Sequence, residues 1–197
     1  MRIFVSLVSA LTLTLSVLGG CSTSPISSFY TLGAANVQQD VYTVRPISVV
    51  VASVTVPDLV DRPQFVIRVS ENQVNLDEYS RWADSLKSQI PRVVAADLAQ
   101  YLQGARVSVS GQADDTAAAY RVRIDIQRFD GAPGKAATVE ALWSVSPPKG
   151  AASLPGRTLA REQCNAADAG ALAAAYSRAL DAVSRDIAAA IHGSLPK

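Results

Sequence analysis

The chain has 197 residues, with 18 basic and 17 acidic side chains, one histidine and two cysteines. That length suits a single domain with a sizeable core. A near-neutral chain without a basic run lacks the electrostatic footprint of a nucleic-acid binder, and a lone histidine leaves little for a metal site or a catalytic triad.

Arg2 puts a positive charge at the N-terminus, followed by a run from Ile3 to Val17 that is uncharged and apolar apart from hydroxyls, and then by Leu18, Gly19 and Gly20. A charged end, an apolar stretch and small residues make the order of a secretory signal. Cys21 directly after Leu18-Gly19-Gly20 marks the lipoprotein form. The cut is expected before Cys21, whose thiol then carries a diacylglycerol. A transmembrane anchor is the alternative, but the run falls short of the roughly 20 residues a spanning helix needs. Two or more acyl chains give a lasting anchor. Ser22 stands where Asp would signal inner-membrane retention, so the outer membrane is expected. Arg2 is the only charge before Cys21, which leaves 17 basic and 17 acidic residues beyond it. The expected division is a signal peptide over 1–20, a lipidated tether over 21–28 and a globular domain over 29–195.

Ser22 to Ser28 spans at most roughly 25 Å when extended. The domain is therefore held close to its membrane. Phe29 to Leu32 has strand character, and Gly33 to Gln39 is a polar connection. Pro46 to Val56 reads as a strand covered on both faces, because its β-branched run is almost unbroken. Leu59 to Gln64 is a turn. Phe65 to Val69 alternates as a strand, and Asn72 to Leu76 continues it as a hairpin.

Trp82, Leu86, Ile90, Val93, Val94, Leu98 and Leu102 recur at helical spacing, which predicts one helix over about Ser80 to Gln103, kinked near Lys87 to Ile90 by Pro91, with two short helices as the fallback. Arg106 to Ser110 is a short strand. Tyr120 to Arg128 and Lys135 to Val145 alternate cleanly and form an antiparallel hairpin with one solvated face. Arg157 to Cys164 is a further strand. Asp168 to His192 is an Ala-rich helix ended by Gly193. The fold class is α/β: a mixed β-sheet with two long helices packed on it, in a single domain.

Candidate chemistry is sparse. His192 lies in the last turn of a helix, where it favours the negative end of the dipole. Gly131-Ala132-Pro133-Gly134-Lys135 lacks the spacing of a phosphate loop, and Ala136 stands where a hydroxyl would bind magnesium. Ser146 to Lys149 and Ser194 to Lys197 match Ser-x-x-Lys without its companion motifs. Asp114-Asp115 reads as a solvated loop tip. Cys164 is expected to be a small buried residue. No cofactor is expected beyond the covalent lipid on Cys21, no metal site and no catalytic residue.

Two stretches carry a family signal. The first is Val56-Pro57-Asp58-Leu59-Val60-Asp61-Arg62-Pro63-Gln64. The second is Arg81-Trp82-Ala83-Asp84-Ser85-Leu86, followed by Arg92 to Leu98. With Cys21 and Tyr30-Thr31-Leu32, they resemble the ABC-type transport auxiliary lipoproteins, in particular the PqiC-like group. That family often has Glu-Pro after Trp-Ala; here Asp84-Ser85 stand instead, and the proline comes at Pro91.

The resemblance implies a fold similar to the N-terminal domain of TolB. It also implies a non-enzymatic subunit of an intermembrane transport system. An MCE-domain periplasmic protein and its inner-membrane partners would then be its partners, and the outer membrane its anchor. A homo-oligomer is compatible with this. The partner-binding candidates are Asp61, Arg62, Pro63, Gln64, Arg81 and Trp82. For Asp61 and Arg62 an internal ion pair, with Arg81 nearby, weighs equally against a docking surface. Trp82 suits the core better than an interface. The alternatives to a transport role are a regulator of a cell-wall synthase, disfavoured by the short tether, and a membrane-anchored hydrolase, disfavoured by the missing catalytic groups.

Overall fold

In the computed structural model, residues 25–111 and 118–195 are described. Cys21, the Asp114-Asp115 pair and Lys197 lie outside them. The elements run β1 (Ser28–Tyr30), β2 (Tyr42–Thr43), β3 (Ser48–Thr55), β4 (Gln64–Ser70), β5 (Gln73–Trp82), α1 (Leu86–Tyr101), β6 (Leu102–Gln103), β7 (Arg106–Val109), β8 (Tyr120–Gly131), β9 (Ala136–Ser146), β10 (Leu154–Gln163) and α2 (Ala169–Ser194).

The main sheet has the order β10-β9-β8-β3-β7. β3 runs parallel to both neighbours, and β8, β9 and β10 are mutually antiparallel. The apolar run of β3 explains its inner position: Val49, Val50 and Val51 are all buried. The register shifts after Val51, and the second half of β3 turns its polar residues outward. In β8, Val122, Ile124 and Ile126 point inward as the alternation predicts. A bulge between Ile126 and Arg128 then reverses the parity, so Phe129 becomes the buried residue.

Both helices lie on one face of this sheet. α1 covers β3 and β7, α2 covers β9 and β10, and the helices pack against each other. The opposite face carries exposed Arg123, Asp125, Leu142 and Leu159. α2 begins where its side chains allow: the Asp168 carboxylate accepts the Ala171 N–H at 2.8 Å, capping orphan donors of the first turn. Leu172, Leu180, Val183, Ile187 and Ile191 form its buried stripe. The helix passes through Gly193 and ends at Ser194, one residue beyond the expected stop.

α1 departs further from expectation. It starts at Leu86, not Ser80, because Ser85 is its N-cap, accepting the Ser88 N–H at 3.2 Å. The helix then continues through Pro91. Ser80, Arg81 and Trp82 belong to β5 instead. There they sit in a smaller sheet of order β1-β5-β4, with β1 parallel and β4 antiparallel to β5.

An aromatic cluster locks this small sheet to the main one. Phe65 from β4 stacks on Trp82 from β5 with ring centroids 4.1 Å apart, and Phe129 from β8 stacks on Tyr176 from α2 at 4.0 Å. Trp82 meets both Phe129 and Tyr176 at about 6 Å, tying the pairs together. A two-strand bridge, β2-β6, closes the end of the helical layer. Gly104, just after it, has φ +99°, and a Cβ there would strike the carbonyl oxygen of Val44. Cys164 is buried, and burial raises its thiol pKa.

Candidate functional site

The two motif stretches are distant in sequence but abut in space. Pro57 ends the extended backbone after β3. Its carbonyl accepts the N–H groups of Val60 at 3.0 Å and Asp61 at 3.2 Å, which curls the chain into a tight turn. Val56 and Val60 plug that turn into the core and leave Asp58 and Pro63 at the surface. The Pro63 carbonyl then accepts the Trp82 N–H at 2.7 Å, and Gln64 pairs with Arg81 across the β4–β5 ladder. Thus the second block is stitched to the first through the backbone.

β5 reaches this point by a local detour. Opposite β4 the register jumps from Asp77 to Arg81, leaving Glu78, Tyr79 and Ser80 as an outward bulge. One Asp77 carboxylate oxygen accepts the N–H groups of Tyr79 at 2.9 Å and Ser80 at 3.0 Å. Burial works to raise the Asp77 pKa, but bonds from the Ser80 side chain and from the two amides outweigh it and hold the carboxyl below its ordinary range. On the far side of β5, β1 pairs Ser28 with Ser80 and Tyr30 with Trp82. The segment that leads back to Cys21 therefore leaves the domain beside the same surface.

Asp61 pairs with Lys87 and not with Arg81. Lys87, in the first turn of α1, places its ammonium 2.6 Å from the Asp61 carboxylate. That hydrogen bond and the attraction of Asp61 raise the Lys87 pKa. Arg81 instead bonds Glu78, 3.3 Å to its carboxylate and 3.0 Å to its carbonyl. Glu78 also accepts from Gln64 at 3.1 Å. Among the described residues the Arg62 Nε has no hydrogen-bond partner. Asp84 pairs with Arg92 at 2.5 Å, and this bond lowers the Asp84 pKa. Trp82 is buried at the centre of the aromatic cluster, so of the six candidates it shapes the surface from beneath while the others form it.

A second feature, over the helices, escaped the sequence reading. The polar connection after β1 is an extended strap held by α1. Gln89 accepts the Leu32 N–H at 2.8 Å, Asp97 the Ala35 N–H at 2.8 Å and Gln100 the Val37 N–H at 3.2 Å. From α2, Ser177 accepts the Gly33 N–H at 3.1 Å, and Ser184 donates to the other Asp97 oxygen at 3.0 Å. An open groove of about 750 Å³ runs between the strap and the Ala-rich face of α2. Burial raises the Asp97 pKa to about 6, against hydrogen bonds from Ala35 and Ser184 that oppose the rise. Polar residues spaced 89, 97 and 100 on a helix that otherwise faces the core were the available signal for the strap.

Comparison with known proteins places this architecture. No match was found among functionally curated proteins. A crystal structure of an uncharacterized protein superposes with a TM-score of 0.69 at 19% identity, covering 84% of this chain and 99% of that one. A DUF330 protein from Xanthomonas campestris superposes with a TM-score of 0.60 at 15% identity, covering 85% of this chain and all of that one. These likenesses concern the fold. The family model described as the ABC-type transport auxiliary lipoprotein component matches residues 30–188, and the chain belongs to that family.

Proposed function

We propose that the protein is a lipoprotein held on the periplasmic face of the outer membrane by a lipid on Cys21. There it serves as a non-catalytic subunit of an intermembrane, MCE-type lipid transport system, docks the far end of the transport bridge and so supports membrane integrity. Family membership supplies the association with an ABC-type transport system. The observation that carries the docking reading is the convergence of the two motif blocks into one surface. Asp61 and Lys87 lock the turn to the helix start, and Pro63 is bonded to Trp82. Ser28 lies against Ser80 beside them.

The test is capture. The mature domain should retain an MCE-domain periplasmic protein, and the double variant Pro63→Ala, Gln64→Ala should lose most of that retention while melting at the same temperature. Retention unchanged by these substitutions removes the docking role from this surface. An intact outer-membrane barrier after loss of the protein and its paralogues would argue against the transport role itself.

A further inference from the structure

Three of the large apolar side chains left exposed by the fold lie on or beside the β1 side of the small sheet: Phe29 in the edge strand, Ile26 just ahead of it and Tyr79 in the neighbouring β5. Ile26 is 91% exposed, Phe29 65% and Tyr79 50%. The placement of Phe29 follows from strand parity. Tyr30 and Trp82, paired across β1 and β5, point into the aromatic cluster. The neighbouring pair, Phe29 and Arg81, therefore points away from it, and Tyr79 projects outward from the bulge just before Arg81. The Asp77 carboxylate fixes the bulge from which Tyr79 projects. The flanking charges, Glu78 and Arg81, neutralise each other in an ion pair. The result is a small exposed apolar patch on the β1 side of the sheet.

Chain length keeps this patch close to whatever holds Cys21. Phe29 is eight residues from Cys21, a reach of at most about 28 Å. If Cys21 is acylated, the bilayer surface lies within that reach, and the last tether residues ahead of β1 include exposed Ile26. Tyrosine and other amphipathic aromatics settle at the headgroup level, where one end of the ring is apolar and the other wet. We propose that the Ile26–Phe29–Tyr79 edge rests on the phospholipid surface that holds the Cys21 lipid, a contact that orients the domain relative to that membrane. This rests on the lipoprotein reading above and adds a second, non-covalent membrane contact to it. Such a contact points the strap, the helices and the far edge of the main sheet in set directions, which a tether alone leaves free.

Depth-resolved fluorescence quenching tests the contact. The full-length acylated protein is reconstituted into phosphatidylethanolamine–phosphatidylglycerol vesicles containing lipids brominated near the headgroup. Single variants Phe29→Trp and Tyr79→Trp are compared with Leu159→Trp on the outer face of the main sheet, against the background of Trp82 and Trp143. The first two should be quenched strongly by the shallow bromines and the third should not. If the acylated wild type fails to float with vesicles, the lipoprotein reading and this contact fall together. If it floats and Phe29→Trp and Tyr79→Trp are quenched no more than Leu159→Trp, the contact alone is overturned and capture of the MCE-domain partner is unaffected. Unquenched emission that shifts to the blue as protein density rises would put a second copy on the edge and would equally overturn the bilayer contact.

Discussion

The Lys87 ammonium sits 2.6 Å from the Asp61 carboxylate, and through this bond the first turn of α1 holds the turn between β3 and β4. Both side chains remain partly exposed, so water and salt compete with the pair. Asp61→Asn and Lys87→Met should each change the melting temperature little. Their coupling in a double-mutant cycle should shrink as sodium chloride is raised, since screening shortens to a few Å near molar salt. Thermal melts at two salt concentrations check this; coupling that is large and independent of salt would mean the pair is shielded in solution.

Trp82 has a different weight. It touches Phe65, Phe129 and Tyr176, from three separate elements, and is 5% exposed. Trp82→Ala should cost about 3–5 kcal/mol, the usual range for removing a buried aromatic. Trp82→Phe should recover much of that, because a ring still fills the site. Urea unfolding followed by circular dichroism reads both.

Asp97 makes stability depend on pH. Its folded pKa of about 6 lies above its ordinary 3.8. Between those values the folded chain binds more protons than the unfolded one, so stability falls as pH rises through the window. Going from pH 7.5 to pH 5 should therefore add about 1.4 kcal/mol. Asp77 works the other way, since its lowered pKa favours folding above the ordinary carboxyl range and that gain is lost below it. Maximum stability is thus expected near the lower end of the Asp97 window. Asp97→Asn keeps an acceptor for Ala35 and should flatten the profile between pH 4 and 7. A profile as steep as the wild type's would rule out Asp97 as the titrating group.

Gly156 lies opposite Trp143 in the β9–β10 ladder, and a Cβ there would overlap the indole ring. That ring donates to Thr158 at 3.0 Å, and Thr158 donates to Asp186 of α2 at 2.6 Å. Gly156→Ala should displace the indole, disturb this chain of bonds and cost about 1–3 kcal/mol. Adding Trp143→Ala should make the second change cheaper than it is alone, with a coupling of about 1 kcal/mol in that direction. Additive losses would show that the two residues do not press on each other.

Much of this fold was legible in the chain itself. Period-two alternation marked β8 and β9, an almost unbroken β-branched run marked β3 as a covered strand, which holds for its first half, and an Ala-rich stretch with an apolar stripe marked α2. These signals are local, because each element's buried face is written in its own residues. The stretch from Ser80 to Ser85 was not legible in this way. Trp82 and Leu86 stand four apart and extend the helical stripe of α1, yet Trp82 is in a strand. The choice between helix and strand there is made by Asp77, which folds the bulge, by Ser85, which caps the helix late, and by β1, which pairs with β5 from some fifty residues away. The partner of Asp61 was hidden for the same reason, since nothing local relates it to Lys87. Chain order therefore determined which faces are buried, whereas only the assembled sheets decided which motif residues meet: hydrogen-bond ladders and ion pairs join groups by distance in space, and a long loop makes that distance almost independent of separation along the chain.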